Sequence, residues 1–233
     1  MQIGFMSNAP ILHRYKIGGT KVEVYDQAHS QAADYVAGEL ILDSYGLRGL
    51  RFGPGERVLD IGGHIGLFAI YLALRHPGLR IYSYEPHPDN FKLFDRNLAL
   101  NGVTNVRLYP EALSSDGRPI ALACNPTNSG AVSAYSVTLK HARVSGVPSL
   151  TLDQMFDRDQ IERCSLLKID CEGSEYEALL ATQSWPRVER LCGEFHSNRL
   201  LESRGHSPEE LRKHCEDRLG PAGVNVSFCR MSE

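Results

Sequence analysis

The chain has 233 residues, a net charge of −3 and a pI near 6.3, with 42% apolar and 23% charged residues. This is the make-up of one soluble globular domain with room for an appendage. The weak acidity gives no electrostatic reason to expect nucleic acid or an anionic membrane as partner.

The longest apolar run, IGLFAIYLAL (65–74), falls well short of the ~20 residues of a membrane helix. The N-terminal MQIGFMSNAP lacks the basic and apolar regions of a secretory signal, so a cytoplasmic protein is expected. Cys124, Cys164, Cys171, Cys192, Cys215 and Cys229 form no CxxC. That argues against a zinc site or a disulfide framework, and the six are expected to be small packing residues.

In chain order, residues 1–52 read as an N-terminal extension or cap. KVEVY (21–25) alternates as a strand, and residues 27–45 carry helical spacing through Ala32, Tyr35, Val36, Leu40 and Leu42. FGPGE (52–56) is turn chemistry and bounds the main domain, 53–233. Strand 57–61, helix 66–76, strand 80–85, helix 87–102 and strand 105–109 then alternate. The second helix carries Pro88 early, Phe91, Phe94 and Leu98 on one face, and Asn101-Gly102 as its stop.

Residues 111–150 break the alternation as an inserted loop or hairpin, with 124–134 expected to be mobile. Thr151 with Gln154, and Ser174 with Glu177, read as capping boxes opening helices. Strand 165–170, helix 174–183, strand 190–195, helix 207–219 and strand 223–229 complete the chain. The repeating pattern predicts a doubly wound α/β fold, a mostly parallel sheet with helices on both faces.

In such a sheet a ligand sits beyond the carboxyl ends of the strands, where the strand order reverses. The first strand–helix turn reads DIGGHIG (60–66). A dinucleotide fingerprint would be G-x-G-x-x-G; here Gly62 and Gly66 match two positions and the third is out of register. Asp60 would repel a pyrophosphate and suits a ligand that carries positive charge. Glu85, ending the next strand, suits both hydroxyls of a free ribose. S-adenosylmethionine has a ribose, a sulfonium and an ammonium, and meets these demands together.

VLDIGGHIG, YSYEPHPDNF, EALSSDG and LLKIDCEGSEYEAL resemble the corresponding segments of the FkbM family of S-adenosylmethionine-dependent methyltransferases, over about residues 55–200. The resemblance implies the class I methyltransferase fold, an antiparallel last strand, and methylation of hydroxyls on sugars or polyketide-like metabolites. The family usually has Asn where this chain has His64.

The donor is accordingly expected at Asp60, Gly62, Gly63, His64, Gly66, Glu85, Pro86, Glu111 and Ala112. Asp60 would face its ammonium, Glu85 its ribose, and Glu111 with backbone N–H groups near Ala112 its adenine. Asp170 and Glu172 in KIDCEGSE, with His196 in GEFHSNR, are the candidate catalytic groups, and His196 is the candidate base. Glu175 is explained by the helix dipole. In a variant of this reading, Asp170, Glu172, Glu194 and His196 bind a divalent cation. The expected partner is a small or sugar-like acceptor, contacted by some of Tyr15, Tyr25, Tyr35, Tyr135, Asn125, Asn128, Arg143 and Arg199. The alternatives are a catalytically silent binding module, an N-methyltransferase and, less favoured, a NAD-dependent dehydrogenase.

Overall fold

The computed structural model describes residues 9–124, 129–135 and 142–231. β1 (Ile11–Ile17) and β2 (Thr20–Asp26) form an antiparallel hairpin, followed by α1 (Ala32–Leu42). Strands and helices then alternate through β3 (Arg57–Ile61), α2 (Leu67–Arg75), β4 (Arg80–Tyr84), α3 (Pro88–Leu100) and β5 (Val106–Tyr109). Short strands interrupt: β6 (Ala112–Leu113), β7 (Ile120–Cys124), β8 (Val132–Ser133), β9 (Ala142–Val147) and β10 (Ser149–Leu150). The alternation resumes with α4 (Leu152–Arg158), β11 (Leu166–Ile169), α5 (Glu175–Ala181) and β12 (Leu191–Ser197). α6 (Arg199–Ser203), α7 (Pro208–Leu219) and β13 (Val224–Arg230) follow.

Six strands make the central sheet in the order β13-β12-β11-β3-β4-β5, and every pairing is parallel. The chain winds outward from β3 to β5, then returns to β11 on the other side of β3. The reversal opens a crevice at the carboxyl ends of β3 and β11. Alternate residues feed opposite cores: Leu59, Ile61, Tyr82 and Tyr84 pack with α4 and α5, while Val58, Ile81 and Leu166 pack with α2 and α3.

β13 corrects one expectation. It lies beside β12 in parallel register, from Leu191 opposite Val224 to Ser197 opposite Arg230. α7 carries the chain back along the sheet between the two strands, and such a crossover returns the next strand in the same direction. The antiparallel last strand implied by the resemblance is not what β13 forms.

The N-terminal hairpin is clamped to the sheet layer by α3. Asn97 Oδ1 accepts from the Tyr25 amide at 2.7 Å, and its Nδ2 donates to the Tyr25 and Ile65 carbonyls at 3.0 and 2.9 Å. Asn101 makes the same paired contact with Glu23, at 3.0 and 2.6 Å. Two amide side chains one turn apart thus satisfy the free edge of β2. The buried face of α3 therefore includes Asn90 and Asn97 with Leu93, Phe94 and Leu98, and Phe91 is not on it. In α1 the buried face is Ala32, Ala33, Ala37 and Leu40; Tyr35 and Leu42 are exposed.

β7 pairs with β8 and β9 in a small antiparallel sheet, bracketed by the parallel pair β6–β10. The Thr151–Gln154 capping box is formed in full. The Ser174–Glu177 box is not: Ser174 makes no side-chain cap bond. The Glu175 carboxylate satisfies that turn instead, accepting from the Cys171 and Gly173 amides at 3.0 and 2.7 Å. Among the described residues no helix is long and apolar enough to cross a membrane.

Candidate active site

The loop after β3 is shaped by close approach. Gly62 has φ +77°, and a Cβ there would stand 1.8 Å from the Asp170 carbonyl oxygen. A Cβ at Gly66 would stand 2.2 Å from the Phe94 ring, and one at Gly63 2.7 Å from it. Gly62 lines the crevice, whereas Gly63 and Gly66 are not among its lining residues and make room for Phe94. His64 sits between them at φ +51°. Asn and His are among the few side chains that tolerate this left-handed conformation, so a family preference for Asn there has a backbone cause.

Asp60 departs from expectation. It is fully buried beneath the crevice and does not line it. Its Oδ2 accepts from Ser83 Oγ at 3.0 Å, and its Oδ1 lies 3.4 Å from the buried Lys168 ammonium. Lys168 also donates to the Gly62 carbonyl at 2.7 Å and stands 3.5 Å from Asp170 Oδ2. Burial opposes the ammonium charge, but Asp170 and Asp60 outweigh it and hold Lys168 above its ordinary range. One lysine thus ties β3, its glycine turn and the end of β11 together. Its sequence signal was a cation inside the otherwise apolar strand LLKID.

Glu85 lies in the crevice wall, 4% exposed. Its Oε2 accepts from the His64 amide at 2.8 Å, and its Oε1 from the His87 amide at 2.9 Å and Asn90 Nδ2 at 3.4 Å. Burial pushes its pKa up to about 7, against the pull of those donors. Pro86 follows it in the lining. Glu111 pairs with Arg158 at 3.1 Å through Oε1, while its Oε2 is buried without a hydrogen-bond partner. The Arg158 guanidinium lies 3.8 Å over the Tyr109 ring. Ala112 lines the crevice, but its amide donates to the Pro148 carbonyl at 2.9 Å and is not free for a ligand ring.

The second centre lies at the ends of β11 and β12. Glu172 has φ +52° and is followed by Gly173 at +106°, a turn that puts the glutamate in the crevice lining beside Asp170. β12 continues to Ser197, so Glu194 and His196 share a face, and both line the crevice. The imidazole is 2% exposed and bonded through Nδ1 to Glu175 Oε1 at 2.9 Å. Its Nε2 faces Glu194 at 3.6 Å, Asp170 at 3.8 Å and Glu172 at 3.9 Å.

Burial alone would lower the imidazole pKa. Glu175 and Glu172 outweigh it, and the ring is held protonated well above its ordinary range. An imidazolium cannot accept a proton, which works against His196 as the base in this state. The carboxylates are shifted too: burial raises Glu172 to about 7, and burial with the hydrogen bond to Glu39 raises Glu194 to about 8. Glu175, fully buried, is far more than a dipole partner, since it fixes both the turn and the imidazole.

The cavity formed between these groups has a volume of about 250 Å³. Six carboxylates line it, those of Glu39, Glu85, Glu111, Asp170, Glu172 and Glu194, and no Lys or Arg is among the described lining residues. Tyr35 and Val36 of α1 close one side; Ile120, Leu122 and Val132 of the small sheet close another. That sheet is pinned over the cavity. Ser133 Oγ donates to the Glu172 carbonyl at 2.6 Å, and Asn198 Nδ2 to the Tyr135 carbonyl at 3.0 Å.

Ser129 Oγ donates to Asp26 at 2.9 Å and meets His64 Nε2 at 2.6 Å, so the imidazole donates from Nε2. Burial pushes the His64 pKa down to about 4, which keeps the ring neutral. Of the tyrosines considered for an acceptor, Tyr35 lines the cavity, Tyr15 donates to Asp34 and Tyr25 lies under Arg96. Asn125 and Asn128 lie outside the described residues.

The family model for the methyltransferase FkbM domain matches residues 60–214. The chain is 28% identical over 201 residues to the 31-O-demethyl-FK506 methyltransferase FkbM of Streptomyces tacrolimicus, covering 72% of this chain and 77% of that one. It is 28% identical over 176 residues to Methyltransferase 1 of Beauveria bassiana, covering 64% and 71%. With Methyltransferase sdnD of Sordaria araneosa it shares 29% identity over 199 residues, covering 73% and 74%.

Proposed function

Because the chain belongs to the FkbM family of S-adenosylmethionine-dependent methyltransferases, we propose that it transfers the methyl group to a hydroxyl oxygen of a small, polar or sugar-like molecule. The observation that carries this reading is the cavity at the strand-order reversal, lined by six carboxylates and by no Lys or Arg among the described residues. Such a wall favours a cationic ligand and repels a pyrophosphate, which argues against a dinucleotide. S-adenosylmethionine supplies a methyl group made electrophilic by its sulfonium.

Around it, Glu85 accepts from the ribose hydroxyls with lone pairs its backbone donors leave available. The unpartnered Glu111 Oε2 accepts from the exocyclic amine of the base. Gly62 and His64 wall the methionine end. Asp170 and Glu172 hold the acceptor hydroxyl and take its proton, while Glu175 positions His196 beside them. The main contribution to rate is placing the oxygen about 3–3.5 Å from the methyl carbon. The S. tacrolimicus relative, whose name specifies a 31-O-demethyl substrate, supports oxygen over nitrogen as the acceptor atom.

The test is incubation with S-adenosylmethionine and a panel of hydroxylated metabolites, matched by amine analogues. Products are read by mass for the gain of one methylene, and nuclear magnetic resonance locates the methyl. An O-methyl product is expected. Methylation of the amines alone would overturn the choice of oxygen. Donor binding with no product from any acceptor class would favour a catalytically silent module.

A further inference from the structure

The pairing of β12 with β13 brings Cys229 directly opposite His196. One ligand atom each of Glu194, His196 and Cys229 lie within 4.8 Å of one another. We infer that these three side chains, which release the His196 Nε2 and Cys229 Sγ protons as the ion binds, form a binding site for a borderline-soft divalent cation of the zinc type, at the acceptor end of the cavity.

Four observations support this. First, the carboxylates facing His196 Nε2 stand at 3.6, 3.8 and 3.9 Å. These separations are too long for hydrogen bonds. Two donors each about 2.1 Å from one ion, subtending about 110–130° at it, would stand about 3.4–3.8 Å apart. Glu194, the member of the trio among the carboxylates, therefore stands from the nitrogen at the spacing of two ligands that share an ion.

Second, the other ring nitrogen is already fixed. Glu175, fully buried, holds Nδ1 at 2.9 Å. A carboxylate behind an imidazole is the usual device that orients a metal-bound histidine and settles its tautomer. Third, the cavity has a carboxylate excess that a dication would offset. Fourth, a mixture of imidazole, thiol and carboxylate suits Zn²⁺ or Co²⁺; Mg²⁺ and Ca²⁺ prefer oxygen alone.

With three protein ligands the ion keeps an open position, as catalytic zinc sites do. Its role, though not its existence, rests on the reading of the cavity as a hydroxyl methylation site. The acceptor oxygen binds the ion and passes its proton to Asp170 or Glu172. That oxygen then forms a bond to the methyl carbon as the carbon–sulfur bond breaks, and the bonding pair leaves on sulfur as a neutral thioether.

The experiment strips the full chain with a chelator and titrates it with Zn²⁺ and with Co²⁺ by equilibrium dialysis, counting bound metal. One ion per chain is expected, with a thiolate-to-metal charge-transfer band in the Co²⁺ form. Cys229→Ser should abolish that band, and His196→Gln and Glu194→Gln should weaken binding at least tenfold. Excess Mg²⁺ should not compete. Circular dichroism melting of each variant reads folding separately, and the band in the wild-type chain tests thiolate ligation without any variant.

No stoichiometric binding, or Co²⁺ binding without the band, would overturn the site. So would binding unchanged in folded Cys229→Ser and His196→Gln. Calorimetric titration of S-adenosylmethionine runs alongside. Donor binding with no metal binding refutes the cation site alone; metal binding with no donor binding refutes the methyl-transfer reading alone.

Discussion

His64 shows how one residue can carry both a backbone and an electrostatic constraint. Its left-handed φ turns its amide onto Glu85, and its ring onto Ser129 at 2.6 Å. Because burial lowers its pKa from 6.5 to about 4, the unfolded chain takes up the proton before the folded one does. The linked stability is complete above pH 6.5 and is lost as pH falls towards 4. Glu85 has the opposite sign, since its raised pKa favours the folded state at low pH. A comparison in which only position 64 changes separates them. His64→Asn should lose less thermal stability than the wild type between pH 6.5 and 4, and melting curves across that range check it. Parallel curves would contradict a neutral His64. The glycine turn was readable from DIGGHIG, but the partner of His64 was not, because Ser129 reaches it only through the folding of the insertion.

At the level of elements, the ends of β3, β11 and β12 are held by two buried charged groups, Lys168 and Glu175, whose partners only the folded sheet brings together. Lys168 joins Asp60, Asp170 and the Gly62 carbonyl. Lys168→Met would leave the fully buried Asp60 without its cation. Breaking a buried pair in this way costs about 3–5 kcal/mol, so urea unfolding at pH 7 should show a loss of that order. Asp60→Asn added to it should restore part. A loss below about 0.5 kcal/mol, the size of an ordinary surface effect, would contradict the tie.

Asn97→Ala tests the hairpin clamp in the same assay. It strands the Tyr25 backbone groups, at about 1–3 kcal/mol for each one left buried and unpaired. Strand and helix spans were legible because apolar period and turn residues fix them locally. Faces were less so. Phe91 and Leu42 fit the helical period, yet Asn97 took the buried place because an amide can satisfy a strand edge. Glu175 likewise looked like a first-turn acid, and only the position of β12 reveals the imidazole against it.

Over the whole molecule, the doubly wound sheet puts every candidate strand end on one side of the protein, and this much followed from the alternation of strands and helices. Register between strands distant in sequence did not follow. Cys229 meets His196 only because β13 runs parallel to β12, and no local spacing encodes that. Nor did the sequence reveal that β7 and β8 roof the cavity through Ser129 and Ser133.

The roof should tighten in the ternary complex. Amides of residues 129–133 should gain hydrogen-exchange protection when donor product and acceptor are both bound, and full protection before either is added would contradict this.

The central claim, that this carboxylate-lined cavity holds S-adenosylmethionine, is tested most directly by calorimetric titration of S-adenosylhomocysteine and S-adenosylmethionine into wild type and Glu85→Ala. Single-site binding to the wild type is expected. The variant should bind about 10–150-fold more weakly, the equivalent of about 1.5–3 kcal/mol for one charge-assisted hydrogen bond lost. Equal affinity in the two proteins would place the donor elsewhere.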